Sequence, residues 1–281
     1  MRRIAFINEK GGTCKTTLAV HVGAWLAAER GLRVLLVDLD TQGHAGKSLG
    51  LDVRGLSPTV HDWLGGGAAF EAVVRRSPVP GLDLAPANKD LAGFPLAVAA
   101  APDRAERLAR RLDALGEERY DAVLLDAPPS RSIVTENVLA AARELVVPVA
   151  VTYLGLDGCA EILASLDALR AARGRAPELA LVVPALYRKT QLADEILEKL
   201  RERFPDVLSR AVLGWSVKID EAQSHGRTIF EWAPRSSGAR ALADIAQEIA
   251  ARGDGEGRPV AGHPAPGPGP AARSLKPAPT A

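Results

Sequence analysis

Residues 10–17 read Lys10-Gly11-Gly12-Thr13-Cys14-Lys15-Thr16-Thr17 and follow the apolar run Ile4-Ala5-Phe6-Ile7. After them, Leu18, Val20, Val22, Trp25 and Leu26 open a helical pattern. A buried strand, a glycine-rich turn and a helix start, in that order, restrict this stretch to a β–α unit whose turn suits an anion. Backbone N–H groups of the turn and the positive end of the helix dipole converge on one place. Lys15 adds a mobile cation for the β- and γ-phosphates of a nucleotide, and Thr16 offers a hydroxyl to Mg²⁺. The pattern G-x-x-x-x-G-K-[ST] is met only in part, because its glycine positions fall on Glu9 and Cys14. A glycine-rich turn that binds nothing is the alternative left open by these residues alone.

Two further segments narrow the choice. Val34-Leu35-Leu36-Val37-Asp38-Leu39-Asp40-Thr41-Gln42 and Tyr120-Asp121-Ala122-Val123-Leu124-Leu125-Asp126-Ala127-Pro128-Pro129-Ser130 each hold a continuous apolar run that ends in Asp. Such runs suit strands covered on both faces. In an open parallel sheet, ligands sit outside the carboxyl ends of the strands. Asp38, Asp40 and Asp126 would then meet the phosphate loop along one edge. One such Asp is explained as a helix N-cap; three strands ending in a phosphate loop, an Asp-x-Asp and an Asp-x-Pro-Pro are not.

Strand-like segments at 3–8, 33–38, 82–86, 121–126, 145–151 and 179–186 alternate with helix-like segments at 15–29, 103–118, 132–143, 158–173, 191–203 and 237–251. The alternation predicts an α/β fold, a mostly parallel twisted sheet flanked by helices. Hydrophobic residues are 47% of the 281 but aromatics only 4%, so the core is built from Ala, Val, Leu and Ile. From Gly253 onward Gly, Pro and Ala dominate and periodicity ends, so we expect one domain over 1–252 and a disordered tail over 253–281. The net charge of +1 excludes a global basic field, leaving nucleic-acid binding to a local patch. Cys14 and Cys159 make no disulfide framework or cluster site. The five histidines, His21, His44, His61, His225 and His263, lack metal-ligand spacing. No signal peptide or membrane-length apolar run is present, and a cytoplasmic location is expected.

With these motifs in place, the chain resembles the ParA/MinD family of deviant Walker A ATPases, a P-loop NTPase fold, from about Arg2 to about Arg252. The resemblance rests on Lys10-Gly11-Gly12-x-x-Lys15-Thr16-Thr17, Asp38-x-Asp40-x-Gln42-Gly43 and Tyr120-Asp121…Asp126-x-Pro128-Pro129-Ser130. Weaker pieces are Tyr153-Leu154-x-Leu156-x-Gly158, Glu221-Ala222-x-Ser224-His225-Gly226 and Pro234-Arg235-Ser236-Ser237-Gly238-Ala239.

The resemblance implies a slow, partner-stimulated ATPase that uses ATP and Mg²⁺. Gly11 through Thr17 would cradle the phosphates, and Thr16, Asp38 and Asp126 would hold Mg²⁺ or its waters. Asp40 would position the attacking water, and Lys10 would reach across an ATP-dependent homodimer to the partner's nucleotide. It further implies non-specific DNA binding near Lys189 and Lys218, a nucleoid-associated location, and a ParB-like or cargo-adaptor partner. The cargo would be a chromosome, a plasmid or a protein cluster. The chain starts at its first strand, matching relatives without an N-terminal DNA-binding extension.

Three departures stand out. Cys14 replaces a usual glycine, Thr41 a usual proline, and Leu213-Gly214-Trp215-Ser216-Val217 differs from the family's Pro-x-Asn, leaving Trp215 either a base platform or core filler. At a helix N-terminus the Cys14 thiol is expected to have a lowered pKa. The runner-up reading is a MinD-like membrane-cycling regulator, which needs a basic amphipathic C-terminal helix. Pro259, Pro264, Pro266, Pro268, Pro270, Pro277 and Pro279 oppose one. An iron-protein reductase lacks its cysteines, and a non-enzymatic scaffold requires that Cys14 disable the loop.

Overall fold

A computed structural model describes residues 1–153, 164, 166–171 and 174–253. The Pro/Ala/Gly-rich tail from residue 254, the Leu154–Gly158 motif piece, Cys159 and most of the segment read as a helix at 158–173 lie outside these described residues. Residues 166–171 are helical.

Eight strands form one sheet in the order β3-β4-β2-β5-β1-β6-β7-β8. They are β1 (Arg2–Phe6), β2 (Val34–Asp38), β3 (Arg75–Arg76), β4 (Leu82–Ala85), β5 (Ala122–Asp126), β6 (Glu144–Ala150), β7 (Glu178–Tyr187) and β8 (Leu213–Gly214). All pairings are parallel except β3 with β4. The expected α/β class therefore holds.

Strand alternation divides the core into two layers. Ala5, Leu35, Val37, Val123 and Leu125 enter one layer. Ile4, Phe6, Val34, Leu36 and Leu124 enter the other, where α1 (Lys15–Arg30) and the Ser237–Gly253 helix also pack. Each fully buried aliphatic side chain here contributes about 1.5–3 kcal/mol. This two-sided burial is why the strands read as unbroken apolar runs rather than as alternating ones.

The structure differs from the sequence reading mainly in short elements. The helix expected at 103–118 contracts to Arg107–Ala114, and Gly253 closes the last helix instead of opening the tail. Strands β3 and β8 are two residues each, too short to carry a period.

The topology also selects one edge. β1 lies between β5 and β6, while the chain leaving β1 passes to β2 on one side and only later reaches β6 on the other. That reversal marks the carboxyl end of β1, where a sheet of this kind usually forms the crevice that takes its ligand.

Candidate functional site

Parallel register brings the motifs to this crevice. Asp126 at the end of β5 is level with Phe6 of β1 and with Asp38 of β2. Neighbouring strands are about 4.8 Å apart, so the loop after Phe6 and both carboxylates crowd one short edge.

The loop is anchored from below and tied to itself. Asn8, buried, donates from Nδ2 to the Pro148 carbonyl at 2.8 Å and accepts the Lys10 N–H on Oδ1 at 3.0 Å. The Lys10 carbonyl accepts from Lys15 Nζ at 3.0 Å and from the Thr13 hydroxyl at 3.3 Å. Lys10 is thus the hub of the loop through its backbone, with its side chain partly exposed. Gly11 and Gly12 face solvent, and Gly12 has φ +70°, a conformation glycine adopts without steric cost. The first-turn N–H groups of α1 lack helical acceptors, and no acidic side chain occupies that turn. Thr16 and Thr17 stand there, partly exposed.

Cys14 has φ 68° and ψ 23°, the left-handed region, and supplies no side-chain cap to α1. A side chain in this conformation costs about 1–2 kcal/mol. Its thiol packs against the α1-side core layer. The expected depressed thiol pKa is wrong: burial, reinforced by Asp220, pushes it up to about 11, and Lys15 only partly opposes this. Desolvation outweighs the helix dipole and favours the protonated thiol. Since the left-handed turn already exists with Cys in place, Cys14→Gly should keep ATP affinity within about threefold. Cys14→Val, a β-branched residue forced to positive φ, should lose about 1–3 kcal/mol in thermal melts.

The carboxylates differ sharply in how they are satisfied. Asp38, fully buried, accepts the Asp40 N–H at 3.0 Å on Oδ1 and the Ala45 N–H at 3.1 Å on Oδ2. It therefore orders the loop that carries Asp40. Burial and the nearby Asp126 hold its pKa well above the usual carboxylate range against those two donors. Asp40, partly exposed, accepts the Gln42 N–H on Oδ1 at 3.0 Å. Gly43 closes this loop at φ +61°, where a Cβ would lie 2.6 Å from the Ala87 carbonyl, so no other residue fits.

Asp126 is also fully buried, and among the described residues no donor forms a well-aligned hydrogen bond to either oxygen, the Thr16 hydroxyl being the one close enough to act on it. Burial raises its pKa to about 7, with the Thr16 hydroxyl and Lys15 pulling the other way. Lys15 is in turn lowered by burial and supported by Asp126 and Asp40. A buried carboxylate without a well-formed hydrogen bond, beside a threonine hydroxyl and a lysine, fits a site completed by a divalent cation or its water. The ligand set is sparse, as suits Mg²⁺, which takes one or two carboxylates and completes its shell with water and phosphate.

Sequence reasoning missed the polar links that fix the helix behind the loop. His21, fully buried, accepts the Ile229 N–H on Nε2 at 3.0 Å, so its Nδ1 carries the proton and donates to the Thr17 carbonyl at 2.7 Å. Burial lowers its pKa to about 4. Gln223 Nε2 reaches the Thr17 hydroxyl at 3.4 Å. These partners lie some two hundred residues apart in sequence, and no local pattern announces them.

The family model described as an AAA domain matches residues 1–179. The chromosome-partitioning ATPase Soj of Thermus thermophilus is 43% identical over 255 residues, covering 90% of this chain and 96% of that protein. The chain belongs to the ParA/MinD family of ATPases. The sporulation initiation inhibitor protein Soj of Bacillus subtilis is 35% identical over 251 residues, covering 89% of this chain and 98% of that protein. Among solved structures, cobyrinic acid a,c-diamide synthase of Mycobacterium smegmatis with bound ATP analogue and magnesium superposes with a TM-score of 0.75. It is 32% identical and covers 91% of this chain and 96% of its own. As a ParA/MinD member the protein is an ATPase, with ATP and Mg²⁺ as its ligands.

Lys189 and Lys218 are both exposed. Lys189 follows β7, and Lys218 begins the Val217–Ser224 helix after β8. The Trp215 N–H donates to the Tyr187 carbonyl at 3.1 Å, and the Arg188 guanidinium lies 4.5 Å from the centre of the Trp215 ring. The two basic segments therefore share one surface. Trp215 is 53% exposed, which rules out core filling. No described helix is long and apolar enough to cross a membrane.

Proposed function

We propose that this protein is a ParA-type positioning ATPase. ATP binding drives dimerisation, the dimer binds DNA without sequence preference and so associates with the nucleoid, and a ParB-like or cargo-adaptor protein triggers hydrolysis and release. The cargo is a chromosome, a plasmid or a protein assembly. The observation that carries this reading is the meeting of the phosphate loop with a fully buried Asp126 that lacks a well-formed hydrogen bond, in a chain 43% identical to a chromosome-partitioning ATPase. The relatives named Soj favour partition over the membrane-cycling alternative.

Each role follows from chemistry. Phosphoryl transfer needs positioning and charge stabilisation above all. Bound ATP·Mg²⁺ supplies the transferable phosphoryl group and neutralises its oxygens. Gly11, Gly12, Thr13, Cys14, Thr16 and Thr17 present the loop and helix N–H groups, and Lys15 exchanges the Lys10 carbonyl for phosphate oxygen. Thr16, Asp38 and Asp126 would hold Mg²⁺ or its waters. With Oδ1 of Asp40 on the Gln42 N–H, Oδ2 is left to orient water and take its proton. Lys10 serves the partner's nucleotide, a contact that two-fold symmetry duplicates.

Asp40→Ala is then expected to bind ATP and accumulate as dimer, with turnover falling about 100-fold or more. Lys10→Ala should impair the dimer or its hydrolysis. Light scattering with and without ATP reads both, and a monomer under every nucleotide condition would overturn the ATP-dependent dimer.

A further inference from the structure

Lys218 does not present a free ammonium. Its Nζ lies 2.7 Å from Glu221 Oε2, three residues along the same helix. That oxygen also accepts the Trp232 Nε1–H at 3.1 Å. The Trp232 ring is stacked on His225, with centroids 4.4 Å apart and planes at 21°. The His225 ring in turn sits 2.8 Å, through Nδ1, from the Glu221 carbonyl oxygen. The carboxylate is thus gripped from behind by a pinned indole, while the lysine approaches on a flexible four-carbon stem. If one member of this pair moves, it is the lysine. Lys189 on the same surface makes no ion pair among the described residues.

We propose that Glu221 competes with DNA for Lys218, its fixed carboxylate holding the ammonium until a backbone phosphate displaces it. This rests on the DNA-binding reading given above. Lys218 is 56% and Glu221 35% exposed, and an ion pair so open to solvent is weak enough for a phosphate to break. When Lys218 leaves, Glu221 keeps its bond from Trp232, so no buried group is stranded. Lys189 engages a phosphate without displacing anything, whereas Lys218 must first be released. The pair therefore sets how tightly the ATP-loaded protein holds its track, and keeps that grip below what its cations alone would give.

Fluorescence anisotropy of a labelled DNA duplex of arbitrary sequence, with ATP-loaded protein at fixed salt, tests this. Glu221→Gln should bind about tenfold more tightly, because each dimer frees two lysines. Glu221→Asp, shorter by one methylene but equally charged, should fall between Glu221→Gln and wild type. Lys218→Met should weaken binding. Asp220→Asn removes a neighbouring exposed charge that is not paired with Lys218, and should tighten binding less than twofold. The proposal is overturned if Glu221→Gln binds no more tightly than wild type, or if Asp220→Asn matches its gain. It is equally overturned if Lys218→Met binds as wild type does. Absence of any duplex binding by ATP-loaded wild type overturns the DNA reading itself, and the wild-type arm alone reveals that case.

Discussion

Lys15→Ala is expected to weaken ATP·Mg²⁺ binding at least about 100-fold, measured by calorimetry with a non-hydrolysable analogue. The expectation follows from where the ammonium sits. Lys15 is 6% exposed, bonded to the Lys10 carbonyl, and in electrostatic contact with Asp126 and Asp40. A charge-assisted bond to phosphate in such a site contributes about 1.5–3 kcal/mol. Lys15 also offsets Asp126 and Asp40, whose field would otherwise repel the polyphosphate. Removing it therefore loses an attraction and uncovers a repulsion. Equal affinity in the wild type and the variant would remove the phosphate-loop assignment altogether.

The parts of this site legible in sequence are those written in local pattern. The β1–loop–α1 unit could be read because Ile4–Ile7 is unbroken and Lys15-Thr16 opens a helix. Asp38 and Asp126 could be read because each ends a run buried on both faces. Their unequal satisfaction could not be read, since it depends on the turn that returns Ala45 to Asp38. Cys14 shows a different limit. Its place at a helix N-terminus was legible, but the sign of its pKa shift was set by burial against a core layer assembled from distant segments. Lys218 and Glu221 stand three residues apart in the sequence, and that i, i+3 spacing alone supports no more than a solvated pair on a helix face. Trp232 behind the carboxylate is what distinguishes it, and that contact comes from the next short helix.

The opposite trade between function and stability is expected at Asp126. At pH 8, above a pKa that burial raises to about 7, its carboxylate is ionised and buried without a well-formed hydrogen bond. Relative to an unfolded Asp near 3.9, a carboxyl raised to about 7 puts a ceiling of about 4 kcal/mol on what this charge costs the nucleotide-free fold. Asp126→Asn removes the charge and keeps the shape, but leaves an amide that itself lacks a partner, costing about 1–3 kcal/mol. The net gain is at most about 1–3 kcal/mol, and for a domain of this size the melting temperature should rise by no more than about 2–12 °C. The same change removes the buried anion that suits a divalent cation, so ATP turnover with Mg²⁺ should fall at least about 100-fold. Added ATP·Mg²⁺ should then stabilise the variant less than the wild type, because the increment tracks affinity. Calorimetric melts with and without nucleotide, beside a turnover assay, measure all three. A variant that melts below wild type and still hydrolyses ATP at the wild-type rate would mean that Asp126 is an ordinary buried carboxylate, not half of a cation site.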